Sequence, residues 1–221
     1  MNEFIDIFSS SDPTNIATSV KLLLLLTIFS LAPGILILMT CFTRIIIVLS
    51  FVRTSLATQQ MPPNQVLIGI ALFLTFFIMA PTFSEVYEKG LSPLFSEEIT
   101  LEEAYDNASV PLKEFMAQHT RQKDLQLFLN YTKAEAPATV QDIPLTTLVP
   151  AFAISELKTA FQMGFMIFIP FLIIDMAVAS ILMSMGMMML PPVMISLPFK
   201  ILLFVLVDGW YLITQSLLGG F

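Results

Sequence analysis

Four stretches of this chain run for 16 to 31 residues without a charge, and few folds accept such stretches. Lys21 and Arg44 enclose 22 uncharged residues, Thr54 to Ser84 contains 31, residues 159–174 contain 16 and residues 176–199 contain 24. About 20 apolar residues cross a bilayer as a helix, where each backbone N–H and C=O must find its partner inside the segment. Charged residues make up 12% of the chain, against about 25% in soluble domains. Mean hydropathy is +0.83. So much apolar surface needs lipid or a large apolar partner to cover it. The expected fold class is all-α, with membrane-type helical hairpins: two hairpins built from four apolar segments.

The runs and the prolines between them organise the chain. After an N-terminal segment, 1–20, a first apolar hairpin occupies 21–84, with a kink at Pro33-Gly34 and its turn at Pro62 and Pro63. Residues 85–150 carry eleven acids and five bases and read as an extracytoplasmic insert of two or three amphipathic helices. A second hairpin, 151–221, turns at Pro191 and Pro192 behind a methionine-rich tip. Arg44 and Arg53 flank the first turn. Short basic loops stay cytoplasmic, so this turn is expected inside, with the insert and both termini outside. The acidic start, Met1 to Asp6, lacks the basic n-region of a signal peptide, so the first apolar segment is expected to be retained.

A net charge of −7 excludes a basic nucleic-acid footprint. Single Cys41 and single His119 give neither a disulfide nor a metal site, and no cofactor is expected. The informative charges lie in or beside apolar runs: Arg44, Glu156, Lys158, Asp175, Lys200 and Asp208. Each costs about 2.5–3.5 kcal/mol at the centre of an inserted helix, so they are expected to face the bundle interior and pair. Lys200 is expected to meet Asp175 or Glu156 of the facing arm. Assembly salt bridges and a proton or ion relay both remain open for these groups. Met187, Met188 and Met189 sit at a turn tip, where there is little core to fill. Flexible, polarizable thioethers there suit a surface that adapts to a passing chain as well as ordinary packing.

Three blocks resemble the FliP family of flagellar export proteins. They are Phe42-Thr43-Arg44 through Pro62-Pro63-Asn64-Gln65; Ser155-Glu156-Leu157-Lys158-Thr159; and Met187-Met188-Met189 through Leu197-Pro198-Phe199-Lys200 to Asp208-Gly209-Trp210. The injectisome relatives (SctR/SpaP) share much of the third block. Pro191-Pro192 and Pro111-Leu112-Lys113-Glu114-Phe115-Met116 look more like the flagellar branch. The resemblance implies a non-enzymatic core subunit of the type III protein export gate in the bacterial inner membrane, at the flagellar basal body. It implies a closed helical ring, a homo-pentamer completed by FliQ and FliR, with FlhB docked and FliO assisting assembly. Unfolded flagellar subunits would pass through its centre, and Met187, Met188 and Met189 match the family's pore gasket. Two rival readings come from other classes: a small-solute channel or secondary transporter, and an intramembrane protease using Asp175 and Asp208.

Overall fold

The computed structural model describes residues 22–23, 26–27, 30–31, 33–58, 60–132, 137–187 and 189–221. Every regular element among them is a helix. The chain divides into two compact units, Met1–Ile37 and Leu38–Phe221. In the first, the described residues are helical, and Leu23, Leu26, Leu31 and Ile35 are exposed. The N-terminal segment 1–20 lies outside the described residues, as does Ala32 beside the expected Pro33-Gly34 kink.

The second unit contains α1 (Phe42–Ser55), α2 (Asn64–Val86), a π-helical turn (Tyr87–Leu91), α3 (Ser92–Phe95), α4 (Leu101–His119), α5 (Gln122–Thr132), α6 (Leu145–Ser184), α7 (Pro192–Leu206) and α8 (Gly209–Leu218). A break at Thr40-Cys41 precedes α1, where the Phe42 N–H donates to Thr40 Oγ1 at 3.3 Å. Pro63 caps α2 and Pro192 opens α7. A helix start loses nothing to proline, because the missing N–H is one that has no intrahelical acceptor. Arg53 braces the first turn, donating to Asn64 Oδ1 at 2.5 Å.

Among the described residues, two helical runs are long and apolar enough to cross a membrane: Asn64–Phe95, with mean hydropathy 2.4, and Leu145–Ser184, with 2.5. The number rises to four if each bent helix pair counts as one span; α7 and α8, bent by 61°, form one such pair. Both long runs cross the boundaries expected from composition. The first continues past Ser84 to Phe95, and α6 begins at Leu145 rather than 151. At 1.5 Å per residue, the 40 residues of α6 extend roughly 60 Å, twice a hydrocarbon core. One continuous helix therefore belongs to both the insert and the apolar half. Charge composition marks where water begins, but the backbone ladder does not stop there.

The core lies where α1 crosses α6. Ile45, Val48, Leu49 and Val52 are buried at helical spacing and face Leu148, Ala151, Phe152 and Ala160. Gly164 permits the close approach: a Cβ there would lie 2.4 Å from Phe51 Cδ2. The insert packs back on this core through Phe115 and Met116 of α4, both buried. Phe115 meets Phe152 of α6 edge-on at 6.1 Å. A capping box starts α4: Thr100 Oγ1 accepts from the Glu103 N–H, while the Glu103 carboxylate accepts from the Thr100 N–H.

Candidate functional site

The stripe that α6 turns toward α1 reads Leu148, Ala151, Phe152, Ser155, Glu156 and Ala160. An amphipathic helix buries whatever occupies that stripe, so Glu156 is carried into the core and needs a cation there. Arg44 of α1 supplies it. Its Nε donates to Glu156 Oε2 at 2.8 Å and its Nη2 to Oε1. The planar guanidinium fork matches a carboxylate in this way, with both bonds charge-assisted. Nη1 donates to the Gly220 carbonyl at 2.8 Å, and Cζ lies 3.8 Å from the Phe221 ring centroid. Phe221 in turn stacks on Phe115 at 6.3 Å. A single arginine thus ties α1, α6, α4 and the segment after α8. Arg44 is 4% exposed and Glu156 0%.

A second pair joins the two arms of the second hairpin. Lys200 of α7 donates to Asp175 Oδ2 of α6 at 2.6 Å and to the Ser55 carbonyl at the end of α1 at 3.2 Å. Ser196, one turn before Lys200, donates to Asp175 Oδ1 at 2.5 Å. Both carboxylate oxygens are therefore occupied. Of the two partners expected for Lys200, Asp175 is the one it meets, because Glu156 is engaged by Arg44.

Lys158 and Asp208 depart from the expectation of buried pairing: both are exposed, and neither forms an ion pair among the described residues. Lys158 lies two residues past Glu156, about 200° around the helix and off the buried stripe. Asp208 occupies the break between α7 and α8 with φ +50°, a turn position rather than a helix face. It is not a partner of Asp175, so the two aspartates form no dyad.

Sequence reasoning missed a third polar junction. Asp124 of α5 is buried, and its Oδ2 accepts from Ser155 Oγ at 2.6 Å and from Arg121 Nε at 2.8 Å. The Arg121 N–H donates to Ser155 Oγ at 3.1 Å. Burial pushes the Asp124 carboxyl up, but the bonds from Ser155 and Arg121 outweigh it and hold the group below its ordinary value of 3.8. The Arg121–Asp124 spacing of three across a helix start was the available signal. The role of Gly220 and Phe221 had none.

The tip between α6 and α7 is built by a glycine. Gly186 takes φ +73°, which a side chain would strain. Its N–H donates to the Met183 carbonyl and that of Met187 to the Leu182 carbonyl, both at 3.0 Å. This double bond pattern ends the helix and turns the chain outward. Met183, Met185, Met187 and Met194 are exposed there, and Met189 is 98% exposed. Met188 lies outside the described residues. The tip therefore presents thioethers that this chain's own core does not use.

The profile described as "FliP family" matches residues 25–217. A protein from Bacillus subtilis (strain 168), named Flagellar biosynthetic protein FliP, is 78% identical over 221 residues, all of both chains. Proteins of the same name are similar at 54% identity from Caulobacter vibrioides (91% of this chain, 76% of that one) and 48% from Borreliella burgdorferi (97% and 85%).

Proposed function

This chain belongs to the FliP family, which with its apolar helices makes it a membrane-embedded component of the flagellar export apparatus, and we propose that it forms the wall and seal of the export pore. The observation that supports this reading is the exposed methionine tip. In a ring of copies, tips carrying Met187, Met188 and Met189 would converge on the axis. Unbranched thioethers would close on one another at rest and yield around an unfolded chain of any sequence. In this reading the protein is a conduit, not an enzyme. It assembles as a homo-pentamer with FliQ and FliR in the inner membrane, receives FlhB, and is helped to assemble by FliO.

Both buried ion pairs suit such a part. A protein-conducting wall must withstand repeated passage, and paired charges between helices fix register without offering a site to the cargo. The extensive exposed apolar surface of α2, α6 and α7 suits contact with neighbouring copies and with small hydrophobic subunits. The test replaces Met187, Met188 and Met189 together by Ala in the full assembly. The expected outcome is normal assembly with a large increase in ion leak across the membrane; an unchanged leak would remove the seal. Native mass spectrometry of the complex from its own membrane is expected to show several copies with two small hydrophobic partners. A partner-free monomer or dimer would favour a solute transporter.

A further inference from the structure

Of the charges that lie in or beside apolar runs, Lys158 and Asp208 have no ion pair among the described residues, whereas Arg44, Glu156, Asp175 and Lys200 pair within the chain. Lys158 is exposed on α6, and so are Ile154, Phe161 and Phe165. At 3.6 residues per turn these four positions fall within about 60° of one another, so they form one stripe along the helix. Asp208 is exposed at the break between α7 and α8, and its carboxylate makes no capping bond to α8. Val205, Leu206 and Tyr211 are exposed around it. Next to Asp208 runs an apolar groove of about 380 Å³, walled by Pro170 and Phe171 of α6, Leu203 and Val207 of α7 and Leu212 of α8.

The stripe and the groove lie on opposite sides of α6. Ile167 and Pro170, which face the groove, stand roughly 150° around the helix from the middle of the stripe. A cation flanked by two phenyl rings on one side, and an anion beside an apolar groove on the other, are complementary in charge and in shape. A single chain cannot join them, because α6 stands between. Two copies can. Contact between two different patches is head-to-tail, and repeated about an axis it closes a ring. The same contact resolves both unpaired charges, since a carboxylate or ammonium covered by apolar neighbours is costly until it meets its opposite. We propose that Lys158, Phe161 and Phe165 of one copy dock on the α7–α8 groove of the next copy, with Lys158 paired to Asp208 of that copy. This contact presupposes the ring proposed above and names the two surfaces that build it.

The test uses the full assembly in its own membrane. Lys158→Cys combined with Asp208→Cys is treated with a short bifunctional thiol reagent. The expected result is a ladder of dimers, trimers and larger multimers of this chain, with none from either substitution alone. Buried Cys41 is common to all three forms and serves as the background. Charge reversal supplies a second readout. Lys158→Asp sets two carboxylates against each other across the contact and is expected to lower recovery of the multi-copy complex roughly tenfold or more. Adding Asp208→Lys is expected to restore a large part of that loss. The crosslink does not depend on the reversed pair folding, so it decides the matter if Asp208→Lys is poorly tolerated at its positive φ. An intact multi-copy complex in native mass spectrometry without any crosslink would overturn the docking geometry and leave the ring standing. Dimers with no larger species would make the contact symmetric and overturn it as well. A crosslink from position 208 to a different subunit would give the groove to that subunit. Absence of a multi-copy complex in the wild type would remove the ring itself, and this contact with it.

Discussion

The two hairpins have nearly the same apolar composition, but α1 of the first and the arms of the second use it in opposite ways. In the first, α1 turns Ile45, Val48, Leu49 and Val52 onto α6, and all four are buried within the chain. In the second, most large apolar side chains of α7 and of the later part of α6 are exposed, among them Met176, Ile181, Phe199, Leu202 and Val205. The ion pairs differ in the same direction. Arg44 and Glu156 are sealed by four structural segments, whereas Asp175 keeps 19% exposure opposite a buried Lys200. Within the first hairpin, α1 is thus a scaffold buried inside the chain, while α2 exposes Phe73 and Phe77 much as the second hairpin exposes its apolar side chains. The second is a surface awaiting lipid or protein, and its tip ends in methionines instead of a core.

That contrast orders the expected effects of substitution. Arg44→Ala breaks the sealed pair and strands Glu156 without a cation. A loss of about 3–5 kcal/mol is expected, read as loss of full-length protein from membranes and loss of motility. Wild-type protein levels would mean that the pair does not hold the scaffold. Asp175→Asn leaves Lys200 buried but still bonded to the Ser55 carbonyl, at an expected cost of about 2 kcal/mol. Its signature is impaired assembly that Lys200→Met partly restores. If the double variant assembles and exports normally, the pair has no relay role.

Ser155→Ala removes one bond to Asp124 and should cost about 1 kcal/mol, seen as faster amide exchange in α5. The same junction carries a pH dependence. The folded Asp124 carboxyl lies below 3.8, so its contribution is complete above the unfolded value and is lost as pH falls through the lower folded one. Amide exchange in α5 should therefore quicken below about pH 4 in the wild type and change less in Ser155→Ala. Last comes Met189→Ala. An almost fully exposed side chain contributes close to nothing to folding, so thermal stability should be unchanged. A marked loss would place Met189 in a core and bring the two hairpins closer in kind.

Much of the fold was legible along the chain because its signals are local. Uncharged runs mark helices that lipid can accept, and paired prolines mark turns where a backbone N–H is dispensable. The costly charges were also visible, since an isolated charge in an apolar run stands out whatever it contacts. Harder to read was which of them are buried. Glu156 and Lys158 are two residues apart, and only the face that α6 turns to α1 separates an interior carboxylate from an exposed ammonium.

By itself the sequence determined the helical class, the two apolar halves and the acidic segment between them, because hydropathy and backbone chemistry act residue by residue. Only the tertiary structure decided that Arg44 takes Glu156 and Lys200 takes Asp175, that Phe221 folds back over Arg44, and that α6 runs unbroken from the insert into the apolar half. Those outcomes depend on which helix faces cross. That is a property of packing among segments 112 residues apart, in the case of Arg44 and Glu156, which no local pattern encodes.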